Sequence, residues 1–118
     1  MKKILVTEDN DSNYILMTYI LRRDYEYCRA KNGQEAIEMA DQEDIDLVLM
    51  DIKMPLMNGM EATAKIKEKH PKLPVIALTA NAFDSDRQAA LEAGCDDFLS
   101  KPVSSEKCLQ MIEKYIGK

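Results

Sequence analysis

Two short runs with no polar member constrain this chain more than any other feature: Leu47-Val48-Leu49-Met50 and Val75-Ile76-Ala77-Leu78. A strand with one wet face alternates apolar and polar side chains. One that is apolar throughout is covered on both faces, as in a parallel sheet flanked by helices. Each run ends abruptly in a polar residue, Asp51 after the first and Thr79 after the second, and Asp51-Ile52-Lys53-Met54-Pro55 then brings a proline that cannot continue a central strand. In an open parallel α/β sheet, ligands bind at the edge beyond the strand C-termini. Asp51 therefore falls where chemistry is usually done, although a strand-end Asp taken alone also reads as the start of a turn.

The rest of the chain alternates in the same way. Ile4-Leu5-Val6-Thr7 is a short strand running into Glu8-Asp9-Asn10-Asp11. A helix follows, capped by Asp11 or Ser12, with Leu16, Met17, Ile20 and Leu21 as its expected buried stripe. Tyr25 to Ala30 is a weaker strand closed by the turn pair Asn32-Gly33, and Ala36, Ile37 and Ala40 share one face of the next helix. Asn58-Gly59 opens a third helix carrying Ala62, Thr63 and Ile66, which stops near His70-Pro71. Asp84 or Ser85 can cap a fourth helix, and Gly94 stands where a left-handed C-terminal stop is wanted. Phe98-Leu99-Ser100 is a last short strand before Lys101-Pro102. The final helix, capped by Ser104 or Ser105, places Cys108, Met111, Ile112, Tyr115 and Ile116 on one stripe. Strands alternating with helices in this way predict one doubly wound five-stranded parallel sheet, with right-handed crossovers and helices on both faces. We expect a single domain over 1–118, with no repeat, linker or second domain.

Charge and composition remove several function classes. A net charge of −5 disfavours non-specific binding to nucleic acid or anionic membranes, which need positive patches. No apolar run approaches the ~20 residues that cross a bilayer, and the Met-Lys-Lys start followed by Ile4-Leu5-Val6 is too short for a signal peptide. Cys28, Cys95 and Cys108 are odd in number and widely spaced, so they read as free packing thiols in a reducing cytosol. His70 stands alone, which leaves a histidine-based metal site or nucleophile–base pair with little support.

The polar residues that end the strands form a constellation. The first strand delivers Glu8 and Asp9, the third Asp51, the fourth Thr79 and the fifth Lys101. In a parallel sheet these ends lie along one edge. Three carboxylates there repel one another unless a cation sits among them, and Mg²⁺ is a hard ion suited to such oxygens. Carboxylates, a metal, one lysine and one hydroxyl together suit a phosphoryl group. Asp51 as nucleophile would become an aspartyl phosphate.

At these residues the chain resembles the receiver domain of two-component response regulators, over its whole length. The resemblance rests on Glu8-Asp9, Met50-Asp51-Ile52-Lys53-Met54-Pro55, Asn58-Gly59, Thr79-Ala80 and Lys101-Pro102. It implies a flavodoxin-like sheet of order 2-1-3-4-5 and a cytoplasmic signalling domain. Asp51 would be phosphorylated from a phosphohistidine on a sensor histidine kinase or histidine phosphotransfer domain. Such a domain catalyses its own phosphorylation and dephosphorylation without being a turnover enzyme. Glu8, Asp9, Asp51 and the backbone carbonyl of Lys53 would hold Mg²⁺, while Thr79 and Lys101 would bind phosphoryl oxygens. The Lys101–Pro102 peptide is often cis in such domains. Thr79 and Phe98 match the switch pair of the family, and phenylalanine lacks the hydroxyl of the tyrosine that many relatives carry at this position. Lys53 and Asn81 match positions that tune the phosphoryl lifetime. The resemblance further implies a reporter face from the fourth helix, last strand and last helix (84–94, 98–100, 104–115), able to support a homodimer. Glu8-Asp9-Asn10-Asp11-Ser12-Asn13 and Leu78-Thr79-Ala80-Asn81-Ala82 look most like receivers carried on hybrid sensor histidine kinases, which act in phosphorelays.

Three rival readings fit less well. A flavin carrier of the same fold class needs amides and hydroxyls after the first strand, where this chain puts Glu8-Asp9-Asn10-Asp11. An aspartyl-phosphate phosphatase resembles Asp-x-Asp at the nucleophile, against Asp51-Ile52-Lys53 here. A degenerate receiver acting as a phosphorylation-independent binding module would have lost one of Glu8, Asp9, Asp51, Thr79 or Lys101, and all five are present.

Overall fold

The computed structural model describes residues 1–52, 59–79 and 84–117, and of 84–87 only the backbone. Among them, strands β1 (Lys3–Thr7), β2 (Glu26–Ala30), β3 (Leu47–Asp51), β4 (Val75–Thr79) and β5 (Asp97–Ser100) alternate with helices α1 (Asp11–Leu21), α2 (Gly33–Gln42), α3 (Gly59–Lys69), α4 (Asp84–Glu92) and α5 (Ser105–Ile116). The strands form one sheet of order β2-β1-β3-β4-β5, and every neighbouring pair is parallel. This is the doubly wound five-stranded architecture that the sequence predicts.

Burial follows position in the sheet. All five residues of β3 and of β4 are buried, as are the last four of β1, whereas edge strands β2 and β5 keep exposed positions. A strand covered on both faces must be apolar at every position, and an edge strand need not be. Side-chain alternation then divides the core in two. Ile4, Val6, Leu47, Leu49, Ile76, Leu78 and Leu99 face α1 and α5, packing on Met17, Leu21, Cys108 and Ile112. Leu5, Val48, Met50, Val75 and Ala77 face the other side, against Ala36, Ala40, Ala62, Ile66 and Ala90 of α2, α3 and α4.

The helix ends match side-chain chemistry, with two corrections. Asn10, not Asp11 or Ser12, caps α1, its Oδ1 accepting from the Asn13 amide at 3.0 Å. Asn32 caps α2 by accepting from Glu35 N at 2.9 Å, so Asn32-Gly33 begins a helix rather than closing a turn. Ser104 caps α5. Gly94 takes the positive φ expected of it, while the capping of α4 and residue Asn58 lie outside the described residues and side chains. The stripe assigned to α1 also needs correction: Met17 and Leu21 are buried and Ile20 is half-buried, but Leu16 is 61% exposed. Residues 14–17 and 19–21 are nearly all apolar, and one helix face against one sheet cannot bury them all. Cys28, Cys95 and Cys108 are free thiols, and burial pushes Cys108 up to about 12, as befits a packing residue. Among the described residues, no helix is long and apolar enough to cross a membrane.

Gly59, the first residue of α3, lies directly over the end of β3. Its amide donates to Ile52 O at 2.9 Å. A Cβ there would run into the Asp51 carbonyl oxygen and come within 2.9 Å of Ile52 Cα. Both obstacles are backbone and cannot rotate away. Gly59 opens α3, so alanine would gain only a fraction of the about 1 kcal/mol it gains in a helix interior, while overpacking against backbone costs ~1–3 kcal/mol. We therefore expect Gly59→Ala to lower unfolding free energy by about 1–2 kcal/mol in denaturant titration. A variant as stable as wild type would show that the α3 start can retreat without cost.

Candidate functional site

The site forms where the parallel strands end on one edge. Glu8 directly follows β1, Asp51 closes β3, Thr79 closes β4 and Lys101 directly follows β5. Side-chain parity decides which of these meet. Glu8 continues the row of Ile4 and Val6, Asp51 that of Leu47 and Leu49, and Lys101 that of Leu99, all facing α1 and α5. Extended pairing continues past β1, since Glu8 N donates to Ala30 O at 3.0 Å. Thr79 instead continues the row of Val75 and Ala77 toward the α3–α4 side.

The three sequence-predicted acids converge: Glu8, Asp9 and Asp51 each offer an oxygen, and these lie within 4.8 Å of one another. Lys101 Nζ donates to Glu8 Oε1 at 3.1 Å and to Asp51 Oδ2 at 3.0 Å. Glu8 and Asp51 are almost wholly buried, whereas Asp9 is exposed. Thr79 is also buried, and its carbonyl oxygen accepts from Lys101 N at 2.7 Å, which ties the lysine to the end of β4. The Lys101–Pro102 peptide is cis. Phe98 does not enter the cleft. It lies on the opposite face of β5 from Leu99, half-buried against the α2–α3–α4 core, and is the register partner of Ala77. Lys53, expected to supply a backbone carbonyl, and Asn81 lie outside the described residues.

Electrostatics reflect this crowding. Burial, followed by the hydrogen bond and charge of Asp51, pushes Glu8 up from an ordinary 4.5 to about 7, against the opposing pull of Lys101. Burial by itself would depress the Lys101 ammonium, but its hydrogen bonds to Asp51 and Glu8 outweigh that and raise it above its ordinary value. Glu8 Oε2 finds no donor among the described residues. A proton held by Glu8 turns its approach to Asp51 into a hydrogen bond. Three carboxylates around one ammonium, with a buried oxygen lacking a donor, fit a hard divalent cation held by Glu8, Asp9 and Asp51.

Sequence reasoning missed Arg29 in β2, whose Nε donates to the Glu8 carbonyl at 3.1 Å. Nothing local marks it, because the contact joins neighbouring strands. It also missed the outer face of α1, where Ile15, Leu16 and Tyr19 are 51%, 61% and 59% exposed. The sequence does show a helix apolar nearly all the way round, but not which of its faces stays outside.

Comparison with known proteins agrees with this geometry. The family model described as the response regulator receiver domain matches residues 4–113. The chain belongs to that family, the receiver domains of two-component signalling. It is 40% identical over 120 residues to the hybrid signal transduction histidine kinase G of Dictyostelium discoideum, covering 96% of this chain but only 4% of that protein. It is 35% identical over 119 residues to the polar-differentiation response regulator DivK of Brucella anthropi, covering 98% of this chain and 97% of DivK. Among solved structures, the receiver domain of the sensor histidine kinase PA1611 of Pseudomonas aeruginosa, with a magnesium ion coordinated in its active-site cleft, superposes with a TM-score of 0.91. The two are 34% identical, over 99% of this chain and 98% of that one. The receiver domain of the Saccharomyces cerevisiae response regulator Ssk1, crystallised with the histidine phosphotransfer protein Ypd1, gives a TM-score of 0.92 at 30% identity, over 98% of this chain and 88% of that one.

The Glu8 shift has a consequence for stability. Between pH 4.5 and about 7 the unfolded chain has released the Glu8 proton while the folded protein still holds it. The folded state is thus progressively disfavoured as pH rises through that window, and this effect is level above it. In metal-free buffer, the stability of wild type relative to Glu8→Gln should fall across that range in guanidinium titrations. A difference independent of pH would contradict the raised Glu8 value.

Proposed function

We propose that this chain is a phosphoacceptor, taking a phosphoryl group from a phosphohistidine onto Asp51 with Mg²⁺ bound. The observation that carries this reading is the bridge of Lys101 Nζ to Glu8 and Asp51 inside the three-carboxylate cluster. Glu8, Asp9 and Asp51 would hold the metal. When bound, Mg²⁺ neutralises the oxygens of the incoming phosphoryl group. A carboxylate oxygen of Asp51 attacks phosphorus, the O–P bond forms, and the N–P bond breaks as the imidazole leaves with its electron pair and takes up a proton. The Lys101 ammonium is already in contact with Asp51 and moves little to reach a phosphoryl oxygen. The Thr79 hydroxyl, at the end of β4, takes another. Water later attacks the phosphorus, the Asp51 O–P bond breaks, and inorganic phosphate leaves with the carboxylate restored.

Thr79 and Phe98 lie on the same side of the sheet, joined through the β4–β5 register in which Ala77 pairs with Phe98 and Thr79 with Ser100. A shift of Thr79 toward a phosphoryl group therefore acts on the α4–β5–α5 face, which reports the state to a partner or a second copy.

The donor is a histidine kinase or histidine phosphotransfer domain, as the likeness to the Ssk1 receiver supports. The exposed apolar residues Ile15, Leu16 and Tyr19 of α1 supply a contact surface beside the cleft. They adjoin a recess of about 260 Å³ that Leu16, Met17 and Ile20 share with Glu8 and Lys101. The chain matches nearly the full length of a stand-alone regulator and a small part of a hybrid kinase. Both settings supply a phosphohistidine.

Incubation with a small-molecule phosphodonor and Mg²⁺ should add one phosphate, seen by intact mass, and none to Asp51→Asn. Equal labelling of that variant would end the assignment. Leu16→Asp should slow transfer from a phosphohistidine protein about tenfold or more, the loss of roughly 1.4 kcal/mol of contact, while leaving small-molecule labelling intact. Unchanged protein-to-protein transfer would remove α1 from the docking surface.

A further inference from the structure

Arg29 lies next to last in β2, paired in register with Val6, and faces α1 from the sheet edge. Three groups converge on its guanidinium. Nε donates to the Glu8 carbonyl at 3.1 Å. Nη2 lies 2.9 Å from Asp11 Oδ1, off the hydrogen-bond line, so this contact is an ion pair without a well-aimed N–H. The guanidinium carbon stacks 4.6 Å from the centroid of Tyr14. Asp11 and Tyr14 belong to the first turns of α1, and Glu8 ends the pairing of β1. Arg29 thus spans the loop 8–11, which carries two of the three clustered acids.

That loop has few other restraints at its acidic end. The Glu8 amide is tied to Ala30 O and the Glu8 carboxylate to Lys101 Nζ, and Asn10 caps α1 through Asn13 N. Between these points stands Asp9, exposed, whose carboxylate must still point at Asp51. We infer that Arg29 is a positioning residue for the acidic site, holding the Glu8 carbonyl and the start of α1 at a fixed separation so that Glu8 and Asp9 meet Asp51 ready to bind a divalent cation. The inference rests on the proposed metal-dependent site. Groups that brace metal ligands are typically worth about ten- to a hundredfold in affinity.

Two effects of removing Arg29 oppose each other. Loss of a cation deepens the negative field and favours Mg²⁺, while loss of the brace loosens the ligands and disfavours it. Asp11 already neutralises much of the Arg29 charge, so the brace should dominate. Lysine keeps the charge but cannot donate to the Glu8 carbonyl, pair with Asp11 and stack flat on Tyr14 at once.

Mg²⁺ titration followed by amide chemical shifts, together with hydrogen exchange of residues 8–12 in metal-free protein, tests this. Arg29→Ala should raise the Mg²⁺ dissociation constant about tenfold and speed exchange in the loop, with Arg29→Lys intermediate in both. Equal or tighter Mg²⁺ binding by Arg29→Ala, or loss of thermal stability with loop exchange and affinity unchanged, would overturn the inference alone. A wild-type protein with no Mg²⁺ affinity would overturn both this inference and the metal-dependent reading beneath it.

Discussion

The contact of one lysine with two buried acids is what the rest of the cleft depends on. Glu8 and Asp51 are brought out of water side by side, an arrangement that carries several kcal/mol of cost per ion unless a counter-charge is supplied. The chain supplies Lys101 Nζ, within 3.1 Å of both. The compensation is incomplete: burial, and after it the neighbouring Asp51, push Glu8 up to about 7. A cluster of this kind is not a stability device. A well-packed apolar set would serve folding better, and the residual negative charge suits the divalent cation that the proposed function places there.

The acids at the other edge of the sheet show what the same residue type does when it is structural. Asp46 precedes β3 and accepts from Lys3 N at 2.8 Å, and Asp96 precedes β5 and accepts from Val75 N at 2.8 Å. Each satisfies the first amide of the neighbouring strand, where the ladder has not yet begun. Asp46 thus meets a backbone donor, and Asp96 divides its oxygen between the Val75 amide and Lys67 Nζ, 2.7 Å away. At the C-terminal edge Glu8 and Asp51 instead share one side-chain cation, Lys101.

Convergence of the site is a matter of register and parity. Glu8, Asp51 and Lys101 each occupy positions that continue rows facing α1 and α5, and a slip of one residue in any strand would turn its group to the opposite face. The apolar core resists such a slip, because the same shift would move Val6, Leu49 or Leu99 out of its packing. Packing of the strands and geometry of the cleft are therefore one constraint. Gly59 adds a second, since the backbone of α3 lies so close over Asp51 that no side chain fits between them.

The sequence alone determined the alternation of strands and helices, the fully buried central strands, and the acids, hydroxyl and lysine at their ends. Those properties are local: an all-apolar run is readable from its own residues, and so is the polar residue that stops it. Most helix stripes were legible for the same reason, Ala62, Thr63 and Ile66 of α3 among them. The face of α1 was not, because a helix apolar nearly all round does not say which side meets the sheet, and only packing left Leu16 outside. The Asn10 cap was missed within a run of six polar residues, 8–13, any of which could accept an amide. Arg29 could not have been found, since its partners come from β1 and α1 and meet it only once β2 takes the edge position. The sequence named the groups at the site. Which of them touch, at what distance and with what charge left over, was decided by the parallel register that carries separate strand ends to one edge.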